Sequence, residues 1–125
     1  MGALLIQLYI ALYLRGGESM NGYAPRYSPG LMEKVAQRRH MEIVPCMVSS
    51  PYYPIGTWVY VWSHNHSILR HCRVTDVSHP KDAPRHKRTK RIVEIAYENV
   101  AELCGEQFIN SRPEMCPVTV LRVGE

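Results

Sequence analysis

A chain of 125 residues is one domain by length and can bury about two thirds of the surface its unfolded form exposes. With 46% hydrophobic and 21% charged residues the composition is neither disordered nor fibrous, and nine Pro and eight Gly point to many turns. A net charge of +4 and a pI near 9.0 predict attraction to anionic polymers, without choosing among nucleic acid, acidic wall polymer and anionic membrane.

In chain order, Ala3–Leu14 (ALLIQLYIALYL) is apolar apart from Gln7. It is shorter than the roughly 20 residues a membrane span needs and has the length of a signal-peptide core. Residues 1–20 are therefore read as a separate hydrophobic segment (signal-like, anchor or packed helix) and residues 21–125 as the folded domain. Membrane contact is expected only through residues 3–14. Glu18–Arg26, with Asn21-Gly22 and Pro25, reads as a linker or turn. Ser28-Pro29 predicts a helix start, with Ser as N-cap and Pro at the first helical position. Leu31, Met32, Val35 and Ala36 share one face, Glu33, Lys34, Gln37 and Arg38 the other, and the helix ends near Arg39.

Ile43–Ser49, interrupted by Pro45, reads as an edge or bulged strand, and Ser50–Gly56 (SPYYPIG) as a turn segment. Thr57–Trp62 alternates, with Trp58, Tyr60 and Trp62 opposite Val59 and Val61. The aromatic face is expected to pack into the core, with a sugar-stacking stripe as the alternative. His64–Ser67 is a hairpin turn, and Ile68–Asp76 alternates again, so the two runs predict a β-hairpin. Val77–Lys90 follows as a basic loop. Ile92–Ile95 is a strand, Ala96–Cys104 a short helix ending at Gly105, Glu106–Cys116 an irregular connection, and Pro117–Val123 a final strand. About six strands with one or two small helices predict a small, mainly β closed barrel, which hides its strand edges.

The cysteines Cys46, Cys72, Cys104 and Cys116 show no C-x-x-C spacing, which disfavours a zinc ribbon or a thioredoxin-type motif. Two disulfides by any of three pairings, or four reduced buried thiols, both fit the count. His64-x-His66 with nearby His71 lacks an accompanying ligand set, so no metal and no cofactor are expected.

Pro54-Ile55-Gly56-Thr57, the strand WVYVW, CRVTD at Cys72–Asp76, IVEIAYENVAELCG at Ile92–Gly105 and PVTVLRV, in that order, resemble the six-stranded double-psi β-barrel of the rare-lipoprotein-A-like, barwin and expansin group. The resemblance covers residues 44–123. It implies a cell-wall glycan, peptidoglycan or another acidic cell-wall polysaccharide, as partner, and an extracellular or cell-envelope location. The activity it implies is that of a lytic transglycosylase or an expansin, with Asp76 at the position of the group's catalytic Asp. A barwin-like binding module without catalysis is the alternative. Ser50 stands where the rare-lipoprotein-A-like enzymes carry a His before the Pro-x-Gly-Thr turn.

Cleaving a glycosidic bond needs an acid to protonate the leaving oxygen. Asp76 is the candidate general acid/base, expected to emerge into a solvent channel without a cationic neighbour. Glu94, between Val93 and Ile95, faces away from both, either into a groove as the partner acid or to water. His79, three residues past Asp76, is a candidate to orient substrate. Tyr53, Thr75, Lys81, Arg85, Lys87 and Arg88 are the candidate substrate contacts. The run Lys81–Arg91 holds six Lys/Arg and one Asp and reads as a solvated loop or a clamp for anionic polymer. It carries no aromatic residue, and no nucleic-acid-binding motif appears in the chain, so nucleic acid is not an expected partner.

Overall fold

A computed structural model describes residues 17–110 and 115–123. The expectations for residues 3–14 lie outside the described residues. The described chain is mainly β: a six-stranded, strongly curled sheet with four short helices. In chain order the elements are β1 (Glu18–Ala24), α1 (Leu31–Arg38), β2 (Met47–Ser50), β3 (Trp58–Ser63), β4 (Ile68–Val77), α2 (Ala83–Arg88), β5 (Glu94–Ile95), α3 (Tyr97–Leu103), α4 (Gln107–Asn110) and β6 (Cys116–Arg122). The sheet order is β1-β6-β3-β4-β2-β5. All neighbours are antiparallel except β2 and β4, which run parallel.

Where the expected linker stood, Glu18–Ala24 is a strand paired with β6 along its whole length, Glu18 opposite Arg122 and Ala24 opposite Cys116. Gly22 marks a close backbone approach and not a turn: a Cβ there would lie 2.6 Å from the Lys90 carbonyl oxygen. Immediately beyond, the chain changes partners. Tyr23 N donates to Lys90 O at 2.8 Å, Ile92 N to Tyr23 O at 3.1 Å, Ile95 N to Pro25 O at 2.9 Å and Tyr27 N to Ile95 O at 2.8 Å. Parallel bridges Tyr23–Arg91 and Arg26–Ile95 thus join the first strand's end to the β5 side.

The hairpin of β3 and β4 forms as expected, Tyr60 opposite His71. The turn before it is a type II-like β-turn: Thr57 N donates to Pro54 O at 3.1 Å, and Gly56 takes the positive φ, 95°, that its third position requires. The expected inward face of β3 is reversed. Val59 and Val61 are fully buried with Cys72, Val74, Val118 and Val120, while Trp58 is 42% exposed and Tyr60 and Trp62 are half-buried. A tightly curled sheet has little room on its concave side, which favours compact β-branched residues there and leaves the rings outside.

α1 starts at Leu31, after Gly30, rather than at Pro29. Ser28 takes part through its carbonyl, which accepts from Leu31 N at 3.1 Å, and Glu98 accepts from Gly30 N at 3.0 Å. Its buried face is Met32, Val35 and Ala36, and Met32 and Ala36 pack on Met47 and Ala96. The basic stretch is not a plain loop either: Ala83–Arg88 is helical, with Pro84 in its first turn. α3 buries Val100 and Leu103, as periodicity predicts. Cys46–Cys72 and Cys104–Cys116 are disulfide-bonded, which decides among the pairings. Among the described residues no helix is long and apolar enough to cross a membrane.

Candidate functional site

Residue pairing across three adjacent strands builds the site. Ser49 on β2 is in register with Asp76 on β4 and with Glu94 on β5. Directly paired residues point to the same sheet face, so two carboxyl groups flank one hydroxyl, their α-carbons two strand spacings or about 10 Å apart. Both acids line a groove of about 660 Å³. One wall is the segment Pro25–Ser28 with Leu31 and Arg39 of the α1 region, and the other is Val77–Pro80 with Asp82, His86 and Arg91.

Asp76 does not emerge free of cations, as the sequence suggested. Arg39 Nη2 donates to its Oδ1 at 2.7 Å and Tyr27 Oη to its Oδ2 at 2.7 Å. α1 aims Arg39 at it from the helix end, and the β1–β5 seam carries Tyr27. Burial first, then the hydrogen bond to Asp76 and its charge, push the Tyr27 phenol well above its usual range. Ser49 Oγ is sealed beside that phenol and eases the rise, yet it makes no hydrogen bond of good geometry.

Glu94 is the second acid, and it faces the groove rather than open water, its side chain 23% exposed. Burial pushes its carboxyl up from the ordinary value of 4.5. Arg91 opposes the rise, Asp76 and Asp82 add to it, and Arg85 opposes it again. His86, 7% exposed, lies with Nδ1 3.9 Å from Glu94 Oε1 and 2.8 Å from Ser78 Oγ. Burial holds His86 below its ordinary 6.5, Arg91 and Arg85 lower it further, and Asp82 opposes them. Burial penalises charge on both groups, and at 3.9 Å the two atoms are too far apart for a direct hydrogen bond.

His79 stands exposed at the groove rim, its Nδ1 accepting from Lys81 N at 3.1 Å. Two of the expected substrate contacts are corrected. Tyr53 is 2% exposed, its hydroxyl unpartnered and its pKa pushed up to about 12 mainly by burial, and Thr75 is fully buried on the strand face opposite Asp76. Lys81, Arg85, Lys87 and Arg88 are exposed but lie off the groove lining; Arg85 pairs with Asp82 at 3.5 Å and Lys87 sits 5.2 Å over the Tyr52 ring. From the basic run, Asp82, His86 and Arg91 reach the groove. Tyr27, Arg39, Ser78 and His86 were not among the expected site residues. The one sequence signal for them was the placement of Arg39 at a helix end, and only the fold supplies the rest.

The aromatic stripe forms a ladder outside the sheet. His71 stacks on Tyr60 at 4.4 Å and lies against Trp58 at 4.7 Å, and the Arg73 guanidinium covers Trp58 at 5.9 Å. The three histidines weighed for metal are apart: His64 bonds Thr119 at 2.7 Å, His66 bonds the Glu102 carbonyl at 3.1 Å, and His71 is in the ladder. Among the described residues no group of three His, Cys, Asp or Glu side chains is placed to hold a metal ion. Comparison of the sequence with protein-family models and with curated proteins found no match.

Proposed function

We propose that the curled sheet is a double-psi β-barrel and that its groove acts on cell-wall glycan, cleaving a glycosidic bond with Asp76 and Glu94 as the working pair. The parallel β2–β4 pairing and the parallel bridges from Tyr23 and Arg26 to the β5 side support the barrel reading. The observation that carries the activity is the placement of two carboxyls on either side of Ser49, in one groove, with different surroundings. Asp76 accepts hydrogen bonds from Arg39 and Tyr27, so it serves as the base toward an attacking hydroxyl, or stabilises positive charge on the sugar. Glu94, pushed up by burial, holds the proton for the leaving oxygen. The acid role anticipated for Asp76 thus moves to Glu94. A backbone separation of about 10 Å leaves room for a hydroxyl or water between the two carboxyl groups. The two disulfides suit an oxidising compartment, in keeping with the cell envelope.

The Arg39–Asp76 pair favours a second reading, a non-catalytic module that grips acidic polysaccharide through the basic stretch 81–91. Purified peptidoglycan separates the two. With catalysis, the wild type clears the suspension and releases muropeptides, and Glu94→Gln and Asp76→Asn each lose about 100-fold or more of that rate while still sedimenting with the wall. Binding without product from the wild type leaves the module reading alone.

A further inference from the structure

Glu94 must be recharged after each turnover, and the groove holds a residue built for that. His86 lies on the buried face of α2, its amide bonded to Asp82 O at 3.0 Å and its carbonyl accepting from Arg91 N at 2.8 Å. Its ring is fixed by Ser78, whose Oγ meets Nδ1 at 2.8 Å, and Ser78 is tied to β2 by a bond from its amide to Ser50 O at 3.3 Å. The same Nδ1 is 3.9 Å from Glu94 Oε1. Nε2 has no hydrogen-bond partner among the described residues, and the side chain, 9% exposed, lines the groove.

Both Ser78 and Glu94 approach a single ring nitrogen. A nucleophile-activating triad needs the hydroxyl on one nitrogen and the carboxylate on the other, so Ser78 is a clamp here and no nucleophile. We propose that His86 is the positioning residue that returns a proton to Glu94 from solvent. The inference rests on the reading of Glu94 as the acid. The protons balance: Glu94 gives one to the glycosidic oxygen as the C–O bond breaks, and Asp76 takes one from the attacking hydroxyl as the new C–O bond forms and releases it to water. His86 takes one from water at Nε2 and passes one from Nδ1 to Glu94 through a groove water that spans the 3.9 Å gap; loss of the Nε2 proton to solvent and re-protonation of Nδ1 through the same water restore its starting tautomer. The charged and titratable groups facing the pair are Arg91, Arg85 and Asp82 from the α2 side, Asp76 from β4 and Tyr27 from the seam. None of these groups is altered in the variants below, and dispersion of the amide spectrum reports whether the fold that places them is kept.

The test is a ¹⁵N and ¹³C NMR titration of the imidazoles on the whole chain, with His86 assigned by the signal missing in His86→Gln. Two sites competing for one proton give a two-step curve at His86 in the wild type and a single step in Glu94→Gln. Ser78→Ala keeps two steps but changes the ratio of tautomers. A single step, identical in wild type and Glu94→Gln, overturns the link, and an unchanged tautomer ratio in Ser78→Ala overturns the clamp. Neither reading needs substrate. Two steps without muropeptide release therefore sink the glycan-cleaving function and keep the proton link, whereas release with a single step does the reverse.

Discussion

The middle and the carboxyl end of β4 put similar residue types to different uses. On the outside, His71 and Arg73 join Trp58 and Tyr60 in a ladder whose ring faces are taken up by one another, so exposed aromatics there offer edges to solvent and little flat surface for a sugar. At the strand's carboxyl end, past the register shift at Val48/Ser49, Asp76 meets Tyr27, Arg39 and, across Ser49, Glu94, in a groove where polar groups are half-buried and incompletely satisfied. Exposure alone does not distinguish a binding surface; unfilled bonding capacity beside a cavity does.

That contrast breaks most visibly through the core beneath the groove wall. Met32 is fully buried on the inner face of α1, and Met32→Ala should cost about 2–5 kcal/mol in urea denaturation while loosening the helix that carries Arg39 at its end. An effect on stability without any change in the groove would uncouple the two.

pH comes next, at up to about 1.4 kcal/mol per pH unit for Glu94 and His86 and less for His71, which is exposed and screened by solvent. Glu94 binds its proton more tightly folded than unfolded, so its contribution is complete below 4.5 and is lost as pH rises through the raised folded value. His86 and His71 bind theirs less tightly when folded, so their contributions are complete above 6.5 and are lost as pH falls. Glu94→Gln should therefore flatten the decline on the alkaline side and leave the acid side as it is. Urea midpoints from pH 4 to pH 9 that superimpose for wild type and variant would show Glu94 to be solvated.

Removing Arg39 as Arg39→Gln should cost about 1 kcal/mol, the pair being partly exposed, and the loss should shrink in high salt. On the ladder, His71→Ala should cost about 1 kcal/mol or less and leave wall binding and any product release unchanged. A fall in wall binding with His71→Ala would move the ligand to the ladder. Smallest of all, Lys87→Ala should change stability by about 0.5 kcal/mol, since its contact with Tyr52 is exposed.

Much of the architecture was readable from periodicity: the hairpin, the last strand, α1 to within two residues and α3. Alternation in WVYVW identified two faces, but hydrophobicity favoured the wrong one, because the width of the concave side is a property of the whole sheet. Asn21-Gly22 looked like a turn because the same glycine that permits one also permits the Lys90 carbonyl to approach. α2 was hidden by a proline and a run of charges. Asp76 and Glu94 were visible as acids on strands. Tyr27 and Ser49 were not, since they join the acids only through pairing between distant segments. His86 was one histidine among basic neighbours until a helix turned it inward.

The seam at Tyr23–Tyr27 ties the groove to the first strand. The peptide that supplies the Tyr27 hydroxyl is also the one handed from β6 to the β5 side by four backbone bonds. Breaking those four bonds would free the Tyr27 hydroxyl from Asp76 while the Cys46–Cys72 disulfide still closed the opposite side of the sheet.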